Sequence, residues 1–174
     1  MSDGFDAPWF IGMLERFPAT LRTLVRGVSR DEARTRGPEG QWSIVEIVSH
    51  LADEESEDFP ARLRLILENP ESDWPPIDPE GWSESRAYLT RDMNEQLDRF
   101  ARTRAEHIDW LRSLPEDQDW STSVSRAIGT MHAADMLSAW CAHDLLHARQ
   151  ITKRLHEFVQ KNASPYRTGY AGQW

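Results

Sequence analysis

His143 and His147 stand four residues apart in the run His143-Asp144-Leu145-Leu146-His147, inside a long segment of helical period. Four residues are slightly more than one α-helical turn, so both rings leave the same face, one above the other. That geometry grips one divalent cation. A third imidazole from a second segment, His50, would complete a three-histidine site with an open coordination position, the layout of a catalytic rather than a closed structural metal centre. His50 sits about two turns into another helical pattern, next to the apolar stripe that contains Ile47.

Carboxylates accompany these histidines. Glu46 and Glu54 lie one turn to either side of His50, and Asp144 directly follows His143. Glu54 and Asp144 are the candidate proton acceptors beside a metal-activated nucleophile, or acceptors that orient the imidazoles. Capping already accounts for Glu46. Gln150, three residues past His147, is placed to hold a ligand or substrate by hydrogen bonding. The competing readings are a solvated helix face for the carboxylates and, for the histidines, a core cluster whose members satisfy one another without metal. Cys141 lies two residues from His143, an offset that turns its thiol toward the opposite side of the helix, so it reads as a small core residue. His107, His132 and His156 have polar neighbours and read as solvated.

Other chemistries lack their signatures. The run differs from the metalloprotease His-Glu-x-x-His pattern in having Asp144, one methylene too short, and no further ligand follows at the required spacing. There is no Gly-rich phosphate loop, no Gly-x-Ser-x-Gly elbow and no Cys-x-x-Cys.

Four helical patterns must position the histidines. Phe10, Met13, Leu14, Phe17, Leu21, Leu24, Val25 and Val28 form the first stripe, interrupted by Pro18, which predicts a kink or a late start. Ser43 followed by Glu46 is a capping-box signature for a second helix that bends at Pro60 and ends near Asn69-Pro70. Prolines 75, 76 and 79 make the next stretch a crossover loop. A third helix is expected from about Trp82 to Pro115, then a polar stretch from Glu116 to Gly129 that is a loop or short hairpin. The fourth helix runs from about Thr130 to about Gln160 and carries His143 and His147. The expected fold is all-α, a four-helix bundle with a long crossover between helices 2 and 3, in a single domain over residues 1–174. The aromatic tail from Ser164 either packs back on the bundle or frays.

The chain has 174 residues, a net charge of -9 and eight tryptophans, most of which read as core and joint anchors. Basic residues are interspersed with acidic ones, so no nucleic-acid footprint is expected. The sequence carries no apolar run long enough for a membrane span and no positive n-region followed by an apolar one, and its single cysteine fits a reducing compartment. These features predict a soluble cytoplasmic protein acting on a small molecule.

The run from Gln41 through His50 to Glu55, followed far downstream by Gly129-Thr130 and by His143 to Ile151, resembles the DinB/YfiT-like superfamily. The Trp74 proline-rich connection, the stretch from Trp82 to Tyr88 and the Tyr170-Ala171-Gly172-x-Trp174 ending are similar to its DinB_2 branch. The resemblance implies a bundle whose second and third helices run parallel, a metal held by His50, His143 and His147, and frequent homodimerisation. It also implies an activity: relatives include transferases and isomerases that use low-molecular-weight thiols such as bacillithiol, mycothiol or glutathione, and others described as metal-dependent hydrolases. The cofactor expected is thus a divalent metal, Zn²⁺ or Ni²⁺, with a thiol as a candidate co-substrate. The alternative is a non-catalytic, stress-associated bundle whose metal site is structural or vestigial and whose surface serves as a protein-interaction module.

Overall fold

The computed structural model describes residues 4–126 and 129–172. The tail residue Trp174 therefore lies outside the described residues, as does part of the N-terminal stretch weighed for a leader. Among the described residues there are seven α-helices and one hairpin: α1 (Ala7–Leu24), α2 (Arg30–Arg34), α3 (Ile44–Glu57), α4 (Phe59–Glu68), α5 (Trp82–Ser85), α6 (Met93–Ser113), β1 (Ser123–Arg126), β2 (Gly129–His132) and α7 (Ala133–Ala163). Four arms make the bundle, namely α1, the bent pair α3–α4, α6 and α7.

The direction of each arm follows from which residues meet. Asp53 pairs with Arg99, Glu55 with Arg104 and His107, and Glu68 with Trp110, so both partners advance together and α3–α4 runs parallel to α6. Parallel neighbours require a long return. The segment from Asn69 to Asp92, containing α5, supplies it. Against α7 the order reverses: Gln41 meets Arg154, His50 meets His147 and His143, and Phe59 meets His143. The bundle and crossover are therefore as expected, with the two-stranded hairpin as a small addition.

Local chemistry explains most boundaries. Asp6 caps α1, accepting from the Trp9 amide, and the helix continues through Pro18 rather than starting after it. Proline cannot donate to the carbonyl four residues back, that of Leu14. The buried Arg104 does so instead, through Nη1 at 2.9 Å. Ser43 opens α3, donating its amide and hydroxyl to Glu46 Oε2 at 2.9 and 2.7 Å, and the chain bends at Asp58 so that Pro60 falls in the first turn of α4, where a missing N–H is harmless.

The third long helix begins later than the sequence suggests. After the single turn of α5, Ala87 adopts φ 51 and interrupts the helix, and α6 starts afresh at Met93, capped by Asp92 accepting from the Asn94 and Glu95 amides. The polar stretch near residue 123 resolves as an antiparallel hairpin pairing Ser123 with His132 and Val124 with Met131. In the tail, Tyr166 and Tyr170 remain exposed, so neither ring packs on the bundle.

Candidate metal centre

Three imidazoles converge where α3 faces α7. His50 Nε2 lies 3.4 Å from His143 Nε2, which lies 2.9 Å from His147 Nε2. One ligand atom from each falls within 4.8 Å of the others. Ligand nitrogens on a tetrahedral ion with bonds of ~2.05 Å stand about 3.3 Å apart. The observed spacing suits that geometry.

Burial sets the protonation. His50 and His147 are buried and His143 is half-buried, and desolvation penalises each imidazolium; the neighbouring rings add to this at His50 and His143, while the Gln150 contact opposes it at His147. Their pKa values are pushed down to about 3 for His50, about 2 for His143 and about 4 for His147. At neutral pH all three are uncharged. His147 Nδ1 lies 2.8 Å from Gln150 Oε1, the contact of an N–H donor with an amide oxygen. The remaining nitrogen, Nε2, is then a lone pair aimed at the other two rings. A cation answers several lone pairs at once, which the rings cannot do for one another, so the donor set fits a divalent metal. Trp42 packs on His50 at 4.8 Å between centroids and Phe59 on His143 at 4.7 Å, fixing ring orientations that the helices alone leave free.

Of the two expected proton acceptors, one is at the cluster. Glu54 Oε1 lies 3.9 Å from His50 Nε2, and burial together with neighbouring Asp58 pushes its carboxyl well above the usual range. Asp144 is not brought there. It leaves α7 about 100° round from His143, as adjacent helical residues do, and holds Arg104 with two contacts at 2.8 and 3.1 Å. Glu46 is equally committed elsewhere, to Arg36, Ser43 and Ser83. Cys141 is a core residue whose thiol donates to the Phe10 carbonyl and is pushed up to about 12 by burial.

The structure also revises His107. It is not solvated but rests 3.0 Å from Glu55 Oε1 and edge-on to Trp140. Glu55 gathers Arg104, His107 and the Trp140 indole N–H. Sequence reasoning overlooked this buried network because its members come from three helices.

The DinB_2 family model, described as DinB superfamily, matches residues 13–151, a span that includes His50, His143 and His147. The chain belongs to the DinB superfamily. A DinB-type relative from Bacillus subtilis (strain 168), named "Putative metal-dependent hydrolase YfiT", is 25% identical over 150 residues, which cover 84% of each chain. The solved structure of YfiT from Bacillus subtilis, titled as having an unusual four-helix bundle topology, superposes with a TM-score of 0.78 at 23% identity over 87% of both chains. A mutant of the mycothiol-dependent maleylpyruvate isomerase gives 0.65 at 17% identity, covering 83% of this DinB-family chain and 60% of that one. At these identities the two structures establish the shared bundle. They do not carry an activity across.

Proposed function

We propose that this protein is a metal-dependent enzyme in which His50, His143 and His147 hold a zinc or nickel ion, acting on a small molecule as a hydrolase or as a transferase of a low-molecular-weight thiol. The observation that carries the reading is the convergence of three neutral imidazoles, one of them with its lone pair set by Gln150. Imidazole nitrogens suit both metals. When bound, such an ion supplies Lewis-acid activation of a water or thiol in its open position.

The chain's own groups do the rest. Gln150 keeps His147 in one tautomer, and Trp42 and Phe59 lock the other rings. Glu54 is the proton acceptor. Burial and neighbouring Asp58 keep its carboxyl protonated, a cation held by the three histidines would oppose that effect, and a group balanced between the two is suited to take and return a proton.

The test is His143→Ala. Elemental analysis of protein purified without an affinity tag should find stoichiometric metal in the parent and little in the variant, with helical circular dichroism unchanged. Full metal retention by the variant refutes the site. Turnover of ester and amide substrates, set beside conjugation assays with several biological thiols, separates hydrolase from transferase.

The proposal extends to a homodimer, supported by the exposed Leu145 and Val159 on α7. A monomer mass in light scattering at micromolar concentration would count against it.

A further inference from the structure

A cleft of about 730 Å³ lies beside residues that contact His50 and His147, and its charge is opposite to that of the chain. It meets the cluster at Trp42, which packs on His50, and at Gln150, which is bonded to His147. Along α7 its wall comprises Leu146, Arg149, Gln150, Lys153 and Arg154, a spacing of 3, 4, 7 and 8 residues from the first that defines one helix face. Three cations stand there against a single carboxylate, Glu80, in a protein of net charge -9.

These cations are incompletely paired from within. Among the described residues Arg149 has no acidic partner, and the Lys153 ammonium finds only the Gln41 amide oxygen at 3.5 Å. Arg154 is 3% exposed; its Nη2 is shared between Gln41 and Glu157, while its Nη1 has no acceptor. That nitrogen packs against Gly37 and is closed to the cleft, so Arg149 and Lys153 are the cations an anion arriving there would meet, in charge-assisted contacts that neither makes within the chain. Trp42, Ile47 and Leu146 make the intervening wall apolar.

We propose that the substrate of this site is a small organic anion, its carboxylate or equivalent group seated on Arg149 and Lys153 and its apolar body lying against Trp42, Ile47 and Leu146 with the reacting atom toward the histidines. This rests on reading the cluster as a metal-dependent active site. Lys153 is six residues beyond His147, about 9 Å along the helix axis, which sets the scale of the molecule. The chain's overall negative charge repels anions at long range, but screening over ~8 Å at physiological salt leaves the local cations in control inside the cleft.

The experiment compares a matched pair, 3-phenylpropanoate and 3-phenylpropanamide, by isothermal titration into the protein as purified and into Arg149→Gln/Lys153→Gln. The acid should bind the parent about tenfold or more tighter than the amide, and the double variant should reduce that preference to about twofold or less. Raising salt from about 0.05 M to about 0.5 M should weaken the acid alone. Equal affinities in the parent, no saturable binding of the acid, or a preference that survives in the variant would each overturn the proposal. The last outcome would mark direct carboxylate binding at the cluster. Metal content is measured on the same samples, so a metal-free parent would sink the active-site reading separately from the charge preference of the cleft.

Discussion

Arg104 Nη1 donates to the carbonyl of Leu14 at 2.9 Å, occupying the acceptor that Pro18 leaves without its helical partner. The same guanidinium pairs with Glu55 on α3 and Asp144 on α7, so one buried side chain of α6 ties all four arms together. Because Asp144 directly follows His143, this anchor also sets the rotation of α7 that turns His143 and His147 toward α3. The scaffold and the cluster are thus mechanically linked, although Arg104 touches none of the three histidines.

Replacing Arg104 with Met should destabilise the fold by about 3–5 kcal/mol, because Glu55 and Asp144 would be left buried without their counter-charge. Arg104→Lys should rescue little of this, since an ammonium cannot reproduce the forked contacts to two carboxylates and a carbonyl. Urea unfolding measures both. A loss below about 1 kcal/mol for the Met variant would show that the network contributes little.

Acid should destabilise the metal-free protein well above the range where carboxylates titrate. The histidines take up protons near 6.5 in the unfolded chain but only at about 4, 3 and 2 in the folded one. Three imidazoles therefore take up protons on unfolding below pH 6.5, against the one that Glu54, its carboxyl raised to about 9, gives up, so stability falls as pH drops from about 6.5 toward 5. The melting temperature of chelator-treated protein should decline across that interval, and His143→Ala should flatten the slope. A flat profile in the parent would mean that the imidazoles are not buried uncharged.

Gln150→Leu should weaken metal binding by about 10–100-fold while leaving the helices intact, because His147 loses the acceptor that holds its tautomer. Competition with a chromophoric chelator gives the affinity. An unchanged value would assign Gln150 to the cleft wall alone.

Glu54→Gln should retain metal yet lower turnover by about 10²–10⁴-fold, the range expected for a lost proton acceptor. Loss of the metal along with activity would instead identify Glu54 as a ligand.

Metal removal separates the enzyme from the non-catalytic alternative. A structural ion contributes much of the folding free energy, so chelation should lower the melting temperature steeply; a catalytic ion on a bundle with its own apolar core should cost less. The core flanking the cluster, with Ile44, Ile47, Val48, Leu51 and Ile151 all buried, predicts the smaller change. Differential scanning calorimetry with and without chelator decides it.

What the sequence determined by itself was whatever depends on neighbours along the chain. The shared face of His143 and His147 is helix geometry, the Ser43 and Glu46 cap is a contact over three residues, and the proline-rich connection after Asn69 excludes helix regardless of surroundings. The late start of α6 was hidden because the apolar period continues through Tyr88 and Leu89, while the break at Ala87 is a backbone conformation that no residue type there announces.

Tertiary structure decided what depends on register between helices. Asp144 and Glu54 look alike as acidic neighbours of histidines, yet Arg104, 40 residues from Asp144 along the chain, claims one, while the other stays beside His50. His107 finds Glu55 at a separation of 52 residues, and Gln41 reaches Arg154 across 113. A helical period gives the direction in which a side chain leaves its own axis. It carries no information on which residue of another helix stands opposite, because that is settled by how the apolar faces pack and slide into register.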